Sequence, residues 1–568
     1  FNLSLLPGYT VGGTVHVVLN NLIGFTTEPR SLYSSRLATD VARRLPIPIF
    51  HVSAEAPEDV VRAAEIAVDY RNRFQSDVVL DLVGYRRHGH SELDDPTTTQ
   101  PGLYRKIAAL APTWKNYGLA LGRSGDDLNT MESETKAGLE QDLGQARLLR
   151  VVPPLDVPEP WWGDFTGGPY DPGAEVSTAL PEDTLADLGA RLSRIPEGFC
   201  PHPKIAQLLA QRREMAAGTR PVDWAMAEAL AIGSLLAEGI GVRLSGQDTR
   251  RGTFNQRHAV LIDIQTEREL VPLNRLWPEQ TAFLDCIDSP LSEAAPLGFE
   301  YGYSRAYPER LVAWEAQFGD FVNGAQILID QFLAAAEDKW GHWSGLVLLL
   351  PHGQEGQGPE HSHARPERFL EVAARDSLQL CQPSTAAQYF HLLRRQMLRR
   401  WRKPLVVLTP KGMLRNPASA SPLAAFSDTD FLRVRSPGGT PDVRLVLVGS
   451  GKIMHELGRE KEKRSRGDVA LVSVEELYPV PEPELAVALE AFPAARELRW
   501  VQEEPANMGA WRYLLPVLDR LRGTRALAVV ARPESGSPAT GSAAIHTREQ
   551  ADLLDRAFQG PGDDGRVS

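Results

Sequence analysis

Three cysteines in 568 residues is a small number. Cys200, Cys286 and Cys381 are far apart, form no CxxC pair and have no histidine at metal-ligand spacing. That excludes a disulfide framework and a zinc ribbon, and it fits thiols held in a reducing compartment. No apolar run approaches the ~20 residues that cross a bilayer. The longest run, Gly345–Leu350, has the length of a core strand. The opening Phe-Asn-Leu-Ser carries neither a basic n-region nor an apolar h-region, so no signal or transit peptide is expected. The expectation is a bacterial-type cytoplasmic location with no membrane partner. Positive charge is not in surplus: 61 Lys and Arg against 73 Asp and Glu leave a net charge of −12, which argues against a nucleic-acid partner. No short internal repeat is evident.

What remains is an ordinary globular composition, with 42% hydrophobic and 24% charged residues, long enough for roughly three to four domains. Residues 1–110 alternate strand and helix. Thr14–Leu19, Ile47–Ser53 and Asp77–Val83 are β-branched runs, and Pro57–Phe74 has apolar positions at helical spacing. That is βαβ, hence a parallel sheet. Residues 105–150 are polar and helical, and 152–185 are dense in Pro and Gly without a period, which marks a linker. A second α/β unit runs from about 220 to 420. It has a helix Trp224–Glu238 capped by Asp223, strands at Val242–Ser245, Leu311–Trp314, Leu346–Leu350 and Pro404–Leu408, and a helix at Asn323–Ala335. A Gly/Pro break at Ser436–Pro441 precedes a third unit, with strands at Arg444–Val448, Val469–Val474 and Arg499–Gln502, a helix at Lys452–Lys463 and a loop-like tail at Arg532–Ala543. The fold class is α/β: three consecutive modules with mostly parallel sheets. The expected domains are 1–110, a helical and Pro/Gly-rich linker at 111–215, 216–420 and 436–560.

Chemistry-bearing residues gather at strand ends, where open α/β sheets bind ligands. The first strand ends in Asn20-Asn21-Leu22-Ile23-Gly24. Asn21 reads either as an Asx turn or as a neutral oxygen ligand for a hard cation. The third strand ends in Tyr85-Arg86-Arg87-His88-Gly89-His90, a polar loop with a histidine pair. In the second unit stand Gln247–His258, the carboxylate Glu293 in the apolar context Leu291-Ser292-Glu293-Ala294-Ala295, Phe318 and Phe321, and His352 with His361 around a glycine-rich segment. Glu293 is able to share a proton with a ligand nitrogen, or is a plain helix N-terminal acid. Phe318 and Phe321 either stack on a flat heterocycle or belong to the core.

Together these stretches resemble the thiamine-diphosphate enzymes of the transketolase and 2-oxoacid dehydrogenase type. The resemblance is carried by Gly12-Gly13-Thr14, Asn20-Asn21, Gly24-Phe25-Thr26-Thr27, Tyr85–His90, Ser245-Gly246-Gln247-Asp248, Arg251-Gly252-Thr253-Phe254, Leu291-Ser292-Glu293, Trp314–Phe321, Gly356–Ser362 and Gln502-Glu503-Glu504-Pro505. It is closest to the decarboxylating component of the 2-oxoglutarate dehydrogenase complex. It runs from residue 1 to about 560 and thins over 105–200.

The resemblance implies a transketolase-type arrangement of a pyrophosphate-binding, a pyrimidine-binding and a C-terminal module. It implies thiamine diphosphate and Mg²⁺ as cofactors. Asn21 would give its side-chain oxygen and Ile23 its carbonyl to the metal. Glu293 matches the glutamate that hydrogen-bonds the aminopyrimidine, and Phe321, with Phe318 beside it, the aromatic that stacks on it. His88 and His90 match a loop that closes over the thiazolium. His258, His352 and His361 fall where related enzymes line the substrate channel. A homodimer is implied, as are a lipoyl-bearing dihydrolipoyl succinyltransferase that accepts the acyl group and, through it, a dihydrolipoyl dehydrogenase.

The sequence also departs from the family. The Gly-Asp-Gly half of the cofactor motif should precede Asn21, and residues 1–20 hold no Asp. The expectation is a C-terminal part of a longer polypeptide, inactive by itself. Leu22 stands where relatives often carry Gln, and Gln256 where many carry His. Two alternatives stand beside 2-oxoglutarate decarboxylation in the tricarboxylic acid cycle: the paralogue acting on 2-oxoadipate, one methylene longer, and a catalytically dead scaffold that keeps the dimer interface.

Overall fold

The computed structural model describes residues 1–150, 159–438 and 442–559. The start of the expected linker, the end of the Ser436–Pro441 break and residue 560, the expected end of the last domain, lie outside the described residues. The chain divides into two compact units, Phe1–Leu155 and Asp156–Ser568.

The first unit is built on three parallel strands, β1 (Val15–Asn20), β2 (Ile49–Ser53) and β3 (Val78–Val83), in the order β1-β3-β2. Helix α1 (Pro57–Phe74) is the crossover from β2 to β3, with Pro57 in its first turn and Gln75 in a left-handed conformation at its end. The polar stretch that follows forms α2 (Pro101–Ala108), α3 (Thr113–Ala120) and α4 (Gly125–Ala146). A capping box between Ser124 and Asp127 starts the last of these.

The second unit opens with two helices inside the stretch read as linker, α5 (Glu182–Leu192) and α6 (Pro203–Ala216), followed by α7 (Trp224–Ala237), capped by Asp223. A seven-stranded sheet follows. It uses β4 (Val242–Gly246), β7 (Leu284–Asp288), β8 (Leu311–Glu315), β9 (Val347–Pro351), β10 (Gln379–Cys381), β11 (Leu405–Thr409) and β15 (Glu476–Tyr478). A small hairpin, β5 (Leu261–Ile262) with β6 (Glu269–Leu270), lies between β4 and β7 in the chain. The sheet order is β15-β10-β11-β9-β8-β4-β7, parallel except at β15. Its helices are α8 (Ala294–Ala306), α9 (Gln326–Leu328), α10 (Ala336–Trp340), α11 (Pro366–Val372) and α12 (Ala386–Leu398).

A five-stranded sheet closes the chain: β12 (Val434–Arg435), β14 (Val469–Val474), β13 (Leu445–Gly449), β16 (Glu497–Pro505) and β17 (Ala526–Arg532), in that spatial order, with only β12 antiparallel. Around it lie α13 (Lys452–Lys463), α14 (Glu482–Glu490), α15 (Trp511–Leu521) and α16 (Ala543–Phe558). β14 runs through Glu475 directly into β15, so one stretch of backbone serves both sheets. Glu475 is wholly buried and satisfied there, accepting from the Ser384 backbone N–H and from the Ser384 and Ser473 hydroxyls.

The central strands are apolar on both faces, as a doubly covered parallel sheet requires. Val347 and Leu349 of β9 join one core with Leu405 and Val407 of β11, while Leu346, Leu348 and Leu350 face another. That second core also takes Val446, Val448 and Val472 from the five-stranded sheet.

The helix expected at Asn323–Ala335 is broken into a 3₁₀ segment (Gly319–Ala325), the single turn α9 and a π-turn (Ile329–Leu333). Gly319 and Gly324 are weak helix formers, and both meet close neighbours that a side chain would strike. β17 and α16 were not marked in the sequence, and the expected loop shrinks to the residues between them. All three cysteines are free thiols, with Cys381 buried. Among the described residues no helix is long and apolar enough to cross a membrane.

Candidate active site

The parallel strands of the seven-stranded sheet all release their chains at one edge. β4 ends at Gly246, paired with Glu315 of β8. A Cβ on Gly246 would strike the Glu315 carbonyl oxygen, so only glycine allows the two strand ends this close. The next side chain, Gln247, crosses to the loop after β7 and donates from Nε2 to Glu293 Oε1 at 3.2 Å. Glu293 stands immediately before α8 and is half-buried. Gly324 leaves room for its other oxygen: a Cβ there would lie 2.9 Å from Glu293 Oε2.

After β8 come Phe318 and Phe321. Their rings are 5.8 Å apart and the imidazole of His361 meets both, edge-on to Phe318 at 4.5 Å and to Phe321 at 5.8 Å. Phe254 adds an edge contact to Phe318 at 5.4 Å. Both Phe318 and Phe321 are partly exposed.

The segment after β9 is held from several sides. Asp320 Oδ1 accepts the backbone N–H groups of Ser362 (3.2 Å) and His363 (3.0 Å). Burial raises the Asp320 carboxyl above its usual range even so. Lys411, past the end of β11, donates to the Gly353 carbonyl at 3.0 Å, to Gln357 Oε1 at 2.8 Å and to the His361 carbonyl. Burial lowers its ammonium. His352 is buried, with Nε2 2.7 Å from Glu504 Oε1 of β16 and Nδ1 accepting the Ala364 N–H at 3.1 Å. Burial works against the Glu504 carboxylate, yet the bond from His352 holds it down at about 2. His363 packs edge-on to His352 at 5.2 Å and burial keeps its ring well below the usual histidine range.

The polar loop after β4 hangs on Arg257. Its guanidinium binds Glu228 of α7 (2.5 and 3.0 Å) and Glu315 of β8 (2.6 and 2.7 Å), with all three buried. The Tyr389 hydroxyl donates to Glu228 at 2.9 Å. Gln256 is a local brace, accepting the Phe254 N–H at 3.0 Å. His258 sits at a positive φ of 47° with Nε2 3.2 Å from the Asn255 carbonyl. Burial and the Arg212 charge lower its proton affinity. It lines a separate small cavity with Arg212 and Leu273 and has no ring contact with His352 or His361 among the described residues.

Asn21, Ile23, His88 and His90 belong to the first unit. Asn21 Oδ1 accepts the Ile23 N–H at 3.3 Å, which is the Asx-turn arrangement, and Gly24 and Thr27 bond each other in both directions. Asn20 is buried with its Nδ2 unpartnered. A cleft beside it is lined by Asn20, Asn21, Glu55, Tyr85, Arg87 and Thr113, with the Tyr85 hydroxyl donating to Glu55 at 2.7 Å. His88 and His90 are exposed. His90 meets Phe25 edge-on at 5.3 Å, and Arg86 donates to its carbonyl at 2.7 Å.

Of the histidines singled out from sequence, His352 and His361 therefore lie on one braced segment. His258 faces elsewhere in the same unit. Gln247, Asp320, His363, Lys411 and Glu504 were given no role from sequence. Gln247, Asp320 and Glu504 lie inside the stretches that carry the resemblance, and Gln247 and Glu504 stand at the polar end of an apolar strand, which was the available signal.

Three family models match the chain in order: "Dehydrogenase E1 component" over residues 1–146, "Transketolase, pyrimidine binding domain" over 220–417 and "2-oxoglutarate dehydrogenase C-terminal" over 423–558. Proteins named "Multifunctional 2-oxoglutarate metabolism enzyme" from Mycobacterium sp. strains KMS, MCS and JLS are each 45% identical over 98% of this chain. The chain belongs to the thiamine-diphosphate-dependent 2-oxoglutarate dehydrogenase E1 family. It spans 45% of the length of those relatives.

The pyrimidine-binding module of this E1-family chain fits the aminopyrimidine end of thiamine diphosphate. It presents a half-buried carboxylate with an amide on one oxygen and a glycine gap at the other, beside two partly exposed phenylalanines. The metal end is less complete. Asn21 spends its oxygen on Ile23, and no group of three or more His, Cys, Asp or Glu side chains is gathered for a metal among the described residues.

Proposed function

We propose that this protein is the decarboxylating component of a 2-oxoglutarate dehydrogenase. It takes 2-oxoglutarate, releases carbon dioxide and passes the succinyl group to a lipoyl group on a dihydrolipoyl succinyltransferase, which a dihydrolipoyl dehydrogenase re-oxidises, as a step of the tricarboxylic acid cycle in the cytoplasm. The observation that carries this reading is Glu293, bonded to Gln247 and close to Gly324 of the 3₁₀ segment that carries Phe321, with Phe318 and Phe321 in contact with His361, in a transketolase-type pyrimidine module.

Thiamine diphosphate, when bound, supplies the electron sink for loss of carbon dioxide. The protein's part is orientation and charge. Glu293 holds a proton shared with a ring nitrogen of the aminopyrimidine, and Gln247 fixes the direction of that carboxylate. Phe321 and Phe318 give the heterocycle an apolar wall. The His361 imidazole, whose nitrogens have no partner among the described residues, donates to an oxygen of the substrate. His88 and His90 belong to a loop that covers the site in a homodimer. Asn21 and Ile23 are the proposed neutral oxygen ligands of Mg²⁺, which requires the Asn21 side chain to leave the Ile23 amide.

Turnover of 2-oxoglutarate and 2-oxoadipate, read as carbon dioxide released with an artificial electron acceptor, tests the reading. A kcat/KM that favours 2-oxoglutarate supports it. The opposite preference assigns the protein to the longer acid, and one methylene is worth only ~1–3 kcal/mol of discrimination, so both must be measured. No turnover of either acid, together with no saturable binding of thiamine diphosphate, overturns the enzyme reading in favour of a scaffold.

A further inference from the structure

His361 is carried on a segment whose seat is built by residues distant in sequence. His352 is the pivot of that seat. The Ala364 backbone N–H can only donate, so the His352 Nδ1 that lies 3.1 Å from it is an unprotonated acceptor. The proton of the neutral ring is then on Nε2, where the Glu504 carboxylate accepts it at 2.7 Å. Both ring nitrogens are committed, and the side chain is 2% exposed. A histidine in that state has no nitrogen left for a substrate. His361 differs on each count: its ring is partly exposed, its nitrogens have no partner among the described residues, and Phe318 and Phe321 touch it edge-on.

We infer that His352 is a positioning residue, not an acid or base in the chemistry: its Nδ1 seats the His361-bearing segment through Ala364, and Glu504 of the C-terminal sheet fixes its tautomer. Asp320 works in the same direction from the phenylalanine side, taking the N–H groups of Ser362 and His363. Four consecutive residues, His361 to Ala364, are thus anchored by Lys411, Asp320 and His352. The C-terminal sheet reaches the candidate site through this imidazole: β16 supplies Glu504, Glu504 orients His352 and His352 holds Ala364. The proposed function enters in one place, the assumption that the His361 ring works on substrate. The seating of the segment is independent of it.

Two measurements test the inference, on the whole protein. Selective ¹⁵N-histidine labelling reads the tautomer directly at neutral pH. The expected result is a His352 ring protonated at Nε2 and bare at Nδ1, and protonation at Nδ1 overturns the inference. Paired variants then separate the two bonds. His352→Asn with Glu504→Gln keeps an acceptor oxygen in the place of Nδ1 and leaves no bare carboxylate. His352→Gln with Glu504→Gln can keep a contact towards β16 but leaves the Ala364 N–H unpaired.

The Asn pair is expected to keep turnover within about threefold of wild type and the Gln pair to lose about 100-fold, the scale of a misplaced reacting group. Equal losses in both pairs, of the ~10²–10⁴ typical of a missing acid or base, overturn the inference. If the wild type turns over neither 2-oxoacid, the rates offer no comparison. The tautomer, and whether the His361 ring resonances stay put in the Asn pair and move in the Gln pair, then decide the inference alone.

Discussion

Gln247 and Glu293 meet side chain to side chain, 3.2 Å apart, although one follows β4 and the other follows β7. The amide N–H occupies one carboxyl oxygen and so fixes which oxygen stays available. Gln247→Leu removes the donor without changing the fold around Gly246. Turnover is expected to fall by about 10-fold, or ~1.4 kcal/mol of barrier, because the carboxyl loses its fixed direction, with thermal unfolding nearly unchanged. Steady-state rates beside a melting curve check this. A loss of stability without a loss of rate would show that the pair is structural.

Arg257 stands between two buried carboxylates and satisfies both. Arg257→Met removes the guanidinium that Glu228 and Glu315 share. Breaking a buried pair from one side leaves uncompensated charge and costs about 3–5 kcal/mol. Urea unfolding is expected to show that loss. The triple variant Arg257→Met, Glu228→Gln, Glu315→Gln should recover a large part of it, since no bare charge is left.

Glu503 gives the protein a pH dependence of stability. It is fully buried, and burial raises its carboxyl to about 7, while the Lys452 ammonium that opposes this is shared with Glu456. The folded state therefore holds a proton that the unfolded state, with an ordinary glutamate, has already released. Stability contributed in this way is present below the usual glutamate range and is lost as pH rises from there to about 7. Glu503→Gln should flatten that slope, so unfolding free energies of wild type and variant should diverge between pH 5 and 7 at roughly 1.4 kcal/mol per pH unit at most. Parallel curves would contradict the assignment.

Much of this was legible in the sequence. The parallel strands β1, β3, β9 and β11 announced themselves as β-branched or leucine runs, and their polar ends marked where ligands go. The helix at Asp223 and the strand at Leu346–Leu350 were readable for the same reason, a cap or a period that local chemistry imposes. What escaped depends on distant residues. β7 is half-exposed and its inward residues alternate weakly, so nothing local marked it. The helix after Phe321 is interrupted close to Gly324, whose neighbour Glu293 arrives from the loop before α8. His352 read as one more channel histidine, and only the partners on both its nitrogens, one of them Glu504 from another sheet, show how it is engaged. His258 looked equivalent to it and turns out to face Arg212.

The central claim is that Glu293 reads the aminopyrimidine of thiamine diphosphate. Calorimetric titration of thiamine diphosphate with Mg²⁺ into the wild-type protein and into Glu293→Gln tests it most directly. The account predicts saturable binding in the wild type and a dissociation constant about 10-fold or more weaker in the variant, the ~1.4 kcal/mol or more that a charge-assisted hydrogen bond contributes. Equal affinity in the two proteins, or no saturable binding to the wild type, would contradict it.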